Sequence, residues 1–245
     1  MKHAIWNVRI VTAEMVIENG AIVFENGIIT YVGEGKPAAD TVTDGEGKYL
    51  IPGFVDIHCH GASGNAFNDA QTEKNHAIAA FHLSHGTTTM LASTSTASLS
   101  DLEKALCCLS LDMENGLLPN VAGLFMEGPW LSTASAGAQA ASLMRAPSVQ
   151  DVYDLKGKYP AILRLGVAPE EKGGMEMGRA GSEKGILMSM AHTAATFAQT
   201  EQAFQNGYTL LTHFYCAMKG VERKNAYRIA GAVEAGFYLD DMFVE

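Results

Sequence analysis

Histidine and glutamate side chains follow the ends of four apolar segments that are predicted to be buried strands. His58 and His60 follow the first segment, and Glu127, His192 and His213 each follow a later one. Side chains two residues apart on a strand point to the same side, so both histidines of the first pair can reach one metal ion. Taken singly, each residue is better explained as a hydrogen-bonded polar group at a strand end. Their shared position favours a site for Zn²⁺, Fe²⁺ or a similar divalent ion.

The other histidines carry no comparable signal. They fall on the first strand or on the helix that precedes Gly86, and we interpret them as structural or solvated. They are His3, His76, His82 and His85.

Predicted strands and helices alternate after Pro52-Gly53. These elements must bring the histidines and the glutamate at the strand ends together. The predicted strands are 54–57, 87–92, 121–126, 162–167, 185–190, 208–212 and the beginning of another within 238–245. The predicted helices are 73–84, one opened by a capping box at Ser100 and Glu103, 148–158, 200–206 and 225–235, the last ended by Gly236. This alternation predicts an α/β fold with a parallel sheet of six complete strands and the start of a seventh.

Residues 1–52 have a different pattern and are predicted to form strands only. The strands are expected at 4–11, 21–24 and 28–32, and the last two each follow a Glu-Asn-Gly tripeptide. Asn-Gly between β-forming residues is a strong hairpin signal, because both residues tolerate positive φ. We therefore expect two domains, with residues 1–52 in a small β domain and residues 53–245 in the α/β part.

Charge and composition exclude several function classes. The chain has 17 Lys and Arg against 27 Asp and Glu, a net charge of −10, which is a poor match for nucleic acid or an anionic membrane. Charges occupy the N-terminus where a signal peptide needs an apolar core. The four cysteines, two of them adjacent, do not suggest a disulfide framework. We expect a soluble cytoplasmic protein that binds neither nucleic acid nor membranes.

Five segments resemble the amidohydrolase superfamily. They are Pro52 to Gly61, Glu127-Gly128-Pro129-Trp130-Leu131, Ala168-Pro169-Glu170, Ala191-His192-Thr193 and His213 to Met218. In this order they are similar to the N-acetylglucosamine-6-phosphate deacetylase branch, over essentially the whole chain. The resemblance implies a metal-dependent (β/α)₈-type hydrolase barrel with a small N-terminal β-sandwich portion, acting on the acetamide of an amino-sugar phosphate.

The resemblance also implies roles for individual residues. Glu127, His192 and His213 would bind the principal metal, and His58 and His60 would complete a second site where a family member has one. The predicted cofactor is therefore one or two divalent ions, Zn²⁺ first and Fe²⁺ second. Many relatives bridge two metals with a carbamylated lysine on strand four, and residues 162–170 contain no lysine.

Several positions depart from the family pattern. Gln139 follows Ala138 where the family has a histidine, and Cys216 stands before Ala217 where the family has an asparagine. Ala194 replaces an Asn or Asp. The phosphate-contacting arginine of the family falls on Lys224, with Arg223 adjacent, and lysine binds phosphate without the bidentate fork. The predicted substrate-binding residues are Ala138, Gln139, Cys216, Ala217, Arg223 and Lys224.

The length gives a further expectation. A (β/α)₈ barrel needs roughly 250 residues, but the β domain leaves 193 of the 245 for the barrel. The resemblance places the general acid–base, an aspartate of strand eight, beyond Glu245, so no catalytic residue is assigned. Exposed parallel edges favour association, and we expect a homo-oligomer. The alternatives are an amidohydrolase acting on another N-acyl compound and a metal-binding chain without turnover.

Overall fold

A computed structural model describes all 245 residues of the chain. Its contacts divide into two compact units, Met1–Phe54 and Val55–Glu245. The first unit contains a five-stranded sheet in the order β3-β2-β1-β4, with β5 also paired to β1. Its strands are β1 (Lys2–Val11), β2 (Val16–Glu25), β3 (Ile28–Glu34), β4 (Thr41–Asp44) and β5 (Tyr49–Leu50).

The two Asn-Gly pairs of this sheet have different structures. Asn26 and Gly27, with φ of 51° and 78°, form the turn between β2 and β3, which confirms the hairpin signal there. The turn predicted at Asn19-Gly20 is wrong, because both residues lie inside β2, where its register with β1 is irregular. Asn19 has a φ of 52°, so the same left-handed preference here produces a bulge instead of a turn.

The second unit is built on a seven-stranded sheet that forms part of a barrel. The strand order is β16-β13-β12-β11-β10-β9-β6, and neighbours from β9 to β16 run parallel. This confirms the α/β fold class and the expectation of six strands and the start of a seventh. The strands after β5 are β6 (Phe54–Cys59), β7 (Gly61–Ala62), β8 (Asn65–Ala66), β9 (Thr87–Thr94), β10 (Val121–Glu127), β11 (Ile162–Val167), β12 (Leu187–Met190), β13 (Tyr208–Leu211), β14 (Glu222–Lys224), β15 (Tyr227–Ile229) and β16 (Phe243–Val244).

Helices connect the strands of this sheet. The α-helices are α1 (Thr72–Ser84), α2 (Leu99–Glu114), α3 (Val149–Lys158), α4 (Gly174–Glu183), α5 (Phe197–Gln205) and α6 (Ala232–Tyr238). Short 3₁₀ helices occupy Phe67–Asp69, Thr133–Ser135 and Ala141–Leu143. None of the helices combines the length and the apolar character that crossing a membrane requires.

Helix α2 begins two residues before the position that the sequence predicts. Ser98 is the N-cap, and its hydroxyl accepts a hydrogen bond from the backbone N–H of Asp101. The capping box at Ser100 is therefore wrong, since Ser100 lies in the first turn. Both serines have an acidic residue three positions later, so the local pattern fits two starts equally well.

Two further segments differ from the sequence expectation. Residues 222–229 form the antiparallel hairpin β14–β15 instead of the start of a helix, and Asn225 has a φ of 55° between its strands. Helix α6 begins only after Gly231, whose N–H donates to the Glu234 carboxylate. Gly236 lies inside this helix and does not end it, and the absence of a Cβ there lets the helix pack closely against Leu211 and Phe214.

Helix α4 is not among the predicted helices, and its segment is rich in glycine. Glycine disfavours helices through the entropy of the unfolded chain, but here it permits close packing. A Cβ at Gly178 would overlap the Tyr208 ring, and one at Gly181 would overlap the side chain of Met188. The Tyr208 hydroxyl donates to the Gly174 carbonyl at 2.7 Å. These contacts hold α4 against β12 and β13.

We predict that Gly178→Ala lowers the stability of the chain by roughly 1–3 kcal/mol, because overpacking a filled site costs this much. Alanine is the better helix former by about 1 kcal/mol, so the sign of the effect separates packing from propensity. Urea unfolding measures it. Gly157→Ala in α3 is the matched control, since a Cβ there meets nothing within 4 Å, and it should be neutral or stabilising. Equal stability of Gly178→Ala and the unchanged chain would contradict the packing argument.

Candidate metal centre

The five residues proposed as metal ligands lie at the carboxyl ends of four strands. His58 is in β6 and His60 directly follows it, while Glu127 is the last residue of β10. His192 and His213 lie two residues beyond β12 and β13. Both have left-handed backbones, with φ of 44° and 36°. This conformation is uncommon for residues other than glycine and clusters at functional sites.

The Glu127 carboxylate lies at the centre of the four imidazoles. Its Oε1 is 2.9 Å from His213 Nε2 and 3.3 Å from His192 Nε2. Its Oε2 is 3.0 Å from His60 Nε2 and 3.5 Å from His58 Nε2. Glu127 is 2% exposed, so its charge depends on these partners rather than on water.

The Nδ1 atom of each histidine has its own partner. His60 Nδ1 lies 3.2 Å from the Ser93 carbonyl, and His192 Nδ1 lies 3.0 Å from the Ser135 carbonyl. A carbonyl only accepts, so these Nδ1 atoms carry the hydrogen and each Nε2 remains for a proton or a metal ion. Such outer partners fix the tautomer and ring orientation of metal-binding histidines.

The other two rings are held in the same way. His213 Nδ1 donates to the Cys216 carbonyl at 3.0 Å, and His58 Nδ1 is 3.1 Å from the carboxylate Oε1 of Glu245. All four Nε2 atoms therefore face Glu127. The arrangement forms two groups of donor atoms that share Glu127, one with His58 and His60 and one with His192 and His213, and the atoms of each group lie within 4.8 Å of one another.

Electrostatics couple the carboxylates and the rings. Burial by itself would raise the pKa of Glu127, but the hydrogen bonds from the four histidines outweigh it and hold that pKa far below its usual range. Burial would lower the pKa of His58, but bonds to Glu127 and Glu245 raise it to about 9. The pKa of Glu245, which burial would raise, falls to about 2 through His58 and Arg164. In the absence of a cation, the proton on His58 therefore helps to compensate the buried carboxylates.

A cavity of about 350 Å³ opens onto the four histidines. Four of the predicted substrate-binding residues line it: Ala138, Gln139, Cys216 and Ala217. The other two, Arg223 and Lys224, do not line it and lie exposed on β14. The structure thus brings the ligand candidates and one set of substrate-binding candidates together and leaves the basic pair outside this cavity.

Gln139 has a contact that the sequence did not indicate. Its amide Nε2 donates to Glu127 Oε2 at 2.6 Å, and its Oε1 accepts the backbone N–H of Thr96 at 2.8 Å. The Thr96 bond fixes which end of the amide faces Glu127. Gln139 therefore orients the central carboxylate as well as lining the cavity.

Sequence reasoning also missed residues that support the site. Arg164 is fully buried in β11 and donates to Glu245 Oε2 at 2.6 Å. Glu170 accepts the Thr193 hydroxyl at 2.6 Å and the N–H of Ala194, and so holds the chain that follows His192. Burial raises the pKa of the Glu170 carboxyl. An arginine within an apolar strand was the available signal for Arg164, and the Ala-Pro-Glu motif was the signal for Glu170.

The chain is similar to several known deacetylases. It is 32% identical over 198 residues to the N-acetylglucosamine-6-phosphate deacetylase of Lysinibacillus sphaericus, covering 78% of this chain and 50% of the relative. It is 27% identical over 238 residues to the N-acetylgalactosamine-6-phosphate deacetylase of Escherichia coli O157:H7, covering 96% of this chain and 61% of the relative.

A solved structure shows the same similarity. The N-acetyl-D-glucosamine-6-phosphate deacetylase of Mycobacterium smegmatis superposes with a TM-score of 0.87 at 29% identity, covering 100% of this chain and 62% of that one. The chain thus spans half to about three fifths of the length of these relatives. Residues 49–244 match the model of the amidohydrolase family. The chain therefore belongs to the amidohydrolase family.

Proposed function

We propose that the chain is part of a metal-dependent deacetylase that hydrolyses the acetamide of N-acetylglucosamine 6-phosphate to glucosamine 6-phosphate and acetate. The observation that carries the proposal is the buried Glu127 carboxylate surrounded by four oriented imidazoles on the floor of a cavity. The deacetylases among its relatives support the substrate class.

The donor set fits a divalent cation, and Zn²⁺ is the ion we propose. Glu127 Oε1, His192 and His213 would hold the principal ion, and Glu127 Oε2, His58 and His60 would hold a second one. Three protein ligands and an open position are typical of catalytic zinc sites. A bound ion of this kind lowers the pKa of water and polarises an amide carbonyl.

The residues of the chain supply position and charge for this chemistry. The carbonyls of Ser135 and Cys216 keep the Nε2 atoms of His192 and His213 aimed at one point. Ala138 and Ala217 leave room in the cavity for the acetamide. We assign the general acid–base role to none of these side chains, because the Nε2 atoms face the metal position and the Nδ1 atoms are bonded.

The phosphate group would bind on the basic hairpin. Arg223 of β14 lies opposite Arg228 of β15 in the antiparallel register, and Lys224 follows Arg223 in the sequence. No carboxylate lies within ion-pair distance of these three side chains. These cations have no acidic partner, and they follow the cavity-lining residues Cys216 and Ala217 in the sequence. They therefore suit the phosphate group of a sugar phosphate. That the protein is a homo-oligomer stays a prediction, as does its cytoplasmic location.

One observation favours a second candidate function. Gln139 occupies the position of the family histidine and is engaged with Glu127, so its contact with a substrate differs from that of the family. An amidohydrolase acting on another N-acyl compound, such as the galactosamine isomer named for one relative, would fit this change.

A substrate panel tests the proposal. The zinc-loaded chain should release amine from N-acetylglucosamine 6-phosphate faster than from N-acetylgalactosamine 6-phosphate or unphosphorylated N-acetylglucosamine. His192→Ala should lose this activity, because it removes a proposed ligand. Hydrolysis confined to another N-acyl compound would select the second candidate. Bound zinc without any turnover would indicate a metal-binding chain that is not catalytic by itself.

Gln139→Leu should weaken zinc binding by roughly 10- to 100-fold, the usual cost of losing an outer partner of a metal ligand. The reason is that Glu127 Oε2 loses the donor that orients it. Competition with a chelating dye measures the dissociation constant. Gln150→Leu is the control, since this glutamine side chain bonds only to Asp154 on the surface of α3 and should leave affinity unchanged. Equal zinc affinity in Gln139→Leu and the unchanged chain would remove Gln139 from the site.

Zinc binding should strengthen as the pH rises towards about 9, the raised pKa of His58. The pKa of His58 is raised above its ordinary value of 6.5, so its proton stabilises the metal-free fold below about 6.5 and that stabilisation is lost as the pH passes about 9. A metal ion must displace this proton. Calorimetry in buffers of different ionisation enthalpy counts the protons released, and His58→Gln should release fewer. A count independent of pH and of this substitution would refute the coupling.

A further inference from the structure

A second set of metal-binding residue types lies outside the four-histidine site. Asp56 and Cys59 belong to β6, and His82 lies in the last turn of α1. Their donor atoms all lie within 4.8 Å of one another, and Cys59 Sγ is 3.1 Å from His82 Nε2. No sequence motif groups these three residues, and from the sequence alone His82 is interpreted as structural or solvated.

The alternation of the strand separates the thiol of this cluster from the proposed active site. Neighbouring residues of a strand point to opposite faces of the sheet, so Cys59 faces away from His58 and His60. The thiol meets His82 of α1 on that outer side. Cys59 is 8% exposed, while Asp56 and His82 are partly exposed. The thiol is therefore sheltered and the other two donors remain open to ions from solvent.

The chemistry of the three donors is selective. A thiolate, an imidazole and a carboxylate together favour Zn²⁺ or a softer ion such as Cd²⁺ over Mg²⁺ or Ca²⁺, which prefer oxygen ligands. Asp56 already accepts the His58 N–H at 3.0 Å through Oδ1, which fixes the carboxylate and leaves Oδ2 for an ion. The Gly61 carbonyl, 3.3 Å from Cys59 Sγ, or a water would complete four positions.

We propose that Asp56, Cys59 and His82 form a separate zinc-type site that cross-links β6 to α1. The site is distinct from the proposed deacetylase site, because Cys59 and His82 meet on the outer side of β6 and none of the residues that surround Glu127 belongs to it. Asp56 lies two residues before His58 and accepts the His58 N–H, so the two sites adjoin at this residue. Its occupation would brace the strand that carries His58.

Cobalt substitution tests the proposal, because a thiolate ligand to Co²⁺ gives a near-ultraviolet charge-transfer band that histidine and carboxylate ligands do not give. The metal-free chain titrated with Co²⁺ should develop this band. Cys59→Ser should abolish it. His82→Gln should weaken Co²⁺ binding at least tenfold. His82 is a partly exposed helix residue, so this substitution does not change the core. The double variant Glu127→Gln, His192→Ala should keep the band.

Cys216→Ser is the matched control, because Cys216 lines the cavity of the other site. The band should persist in this variant. A band lost in Cys216→Ser and kept in Cys59→Ser would assign the thiolate to the cavity and overturn the proposal. Two other results would also overturn the proposal: no band in the unchanged chain at saturating Co²⁺, or a full band with unchanged affinity in His82→Gln. Either result would mean that the Cys59–His82 contact is only a hydrogen bond.

Discussion

The interaction on which the site depends is the one between the Glu127 carboxylate and four imidazole rings. A buried carboxylate is costly unless positive charge or hydrogen-bond donors surround it. Each oxygen of Glu127 faces two rings, and Gln139 adds a third donor to Oε2. The Glu127 oxygens and the histidine Nε2 atoms are also the ligand atoms that a divalent cation needs. Protons and metal ions therefore compete for one set of positions.

The sheet beneath the site supplies a second layer of polar contacts. Arg164 is fully buried and donates to Glu245, to the Ile57 carbonyl, and to the hydroxyls of Ser189 and Thr212. A buried guanidinium requires this number of acceptors, since it cannot lose its proton. These hydrogen bonds join strands that are distant in sequence. Glu245 extends the network to the metal-site candidates, because its Oε1 lies 3.1 Å from His58 Nδ1.

Local patterns explain which parts of the fold were predictable. The strand predicted at 162–167 agrees with β11 to the residue, because Pro160 and Pro169 bound this mostly apolar segment on both sides. Helix α4 was missed because its glycines have a packing role that appears only beside Tyr208. The segment around Asn225 has residue types compatible with a helix start, but its left-handed backbone closes a hairpin.

The sequence by itself determined the alternation of strands and helices, the residue types at the strand ends and hence the family, because periodicity and motif order are properties of neighbouring residues. Only the tertiary structure decided which ring nitrogens face Glu127 and that Gln139 orients this carboxylate. It also placed Arg223 and Lys224 outside the cavity and brought Cys59 to His82. These features depend on distances between residues far apart in the chain, and such distances are set by how strands and helices pack.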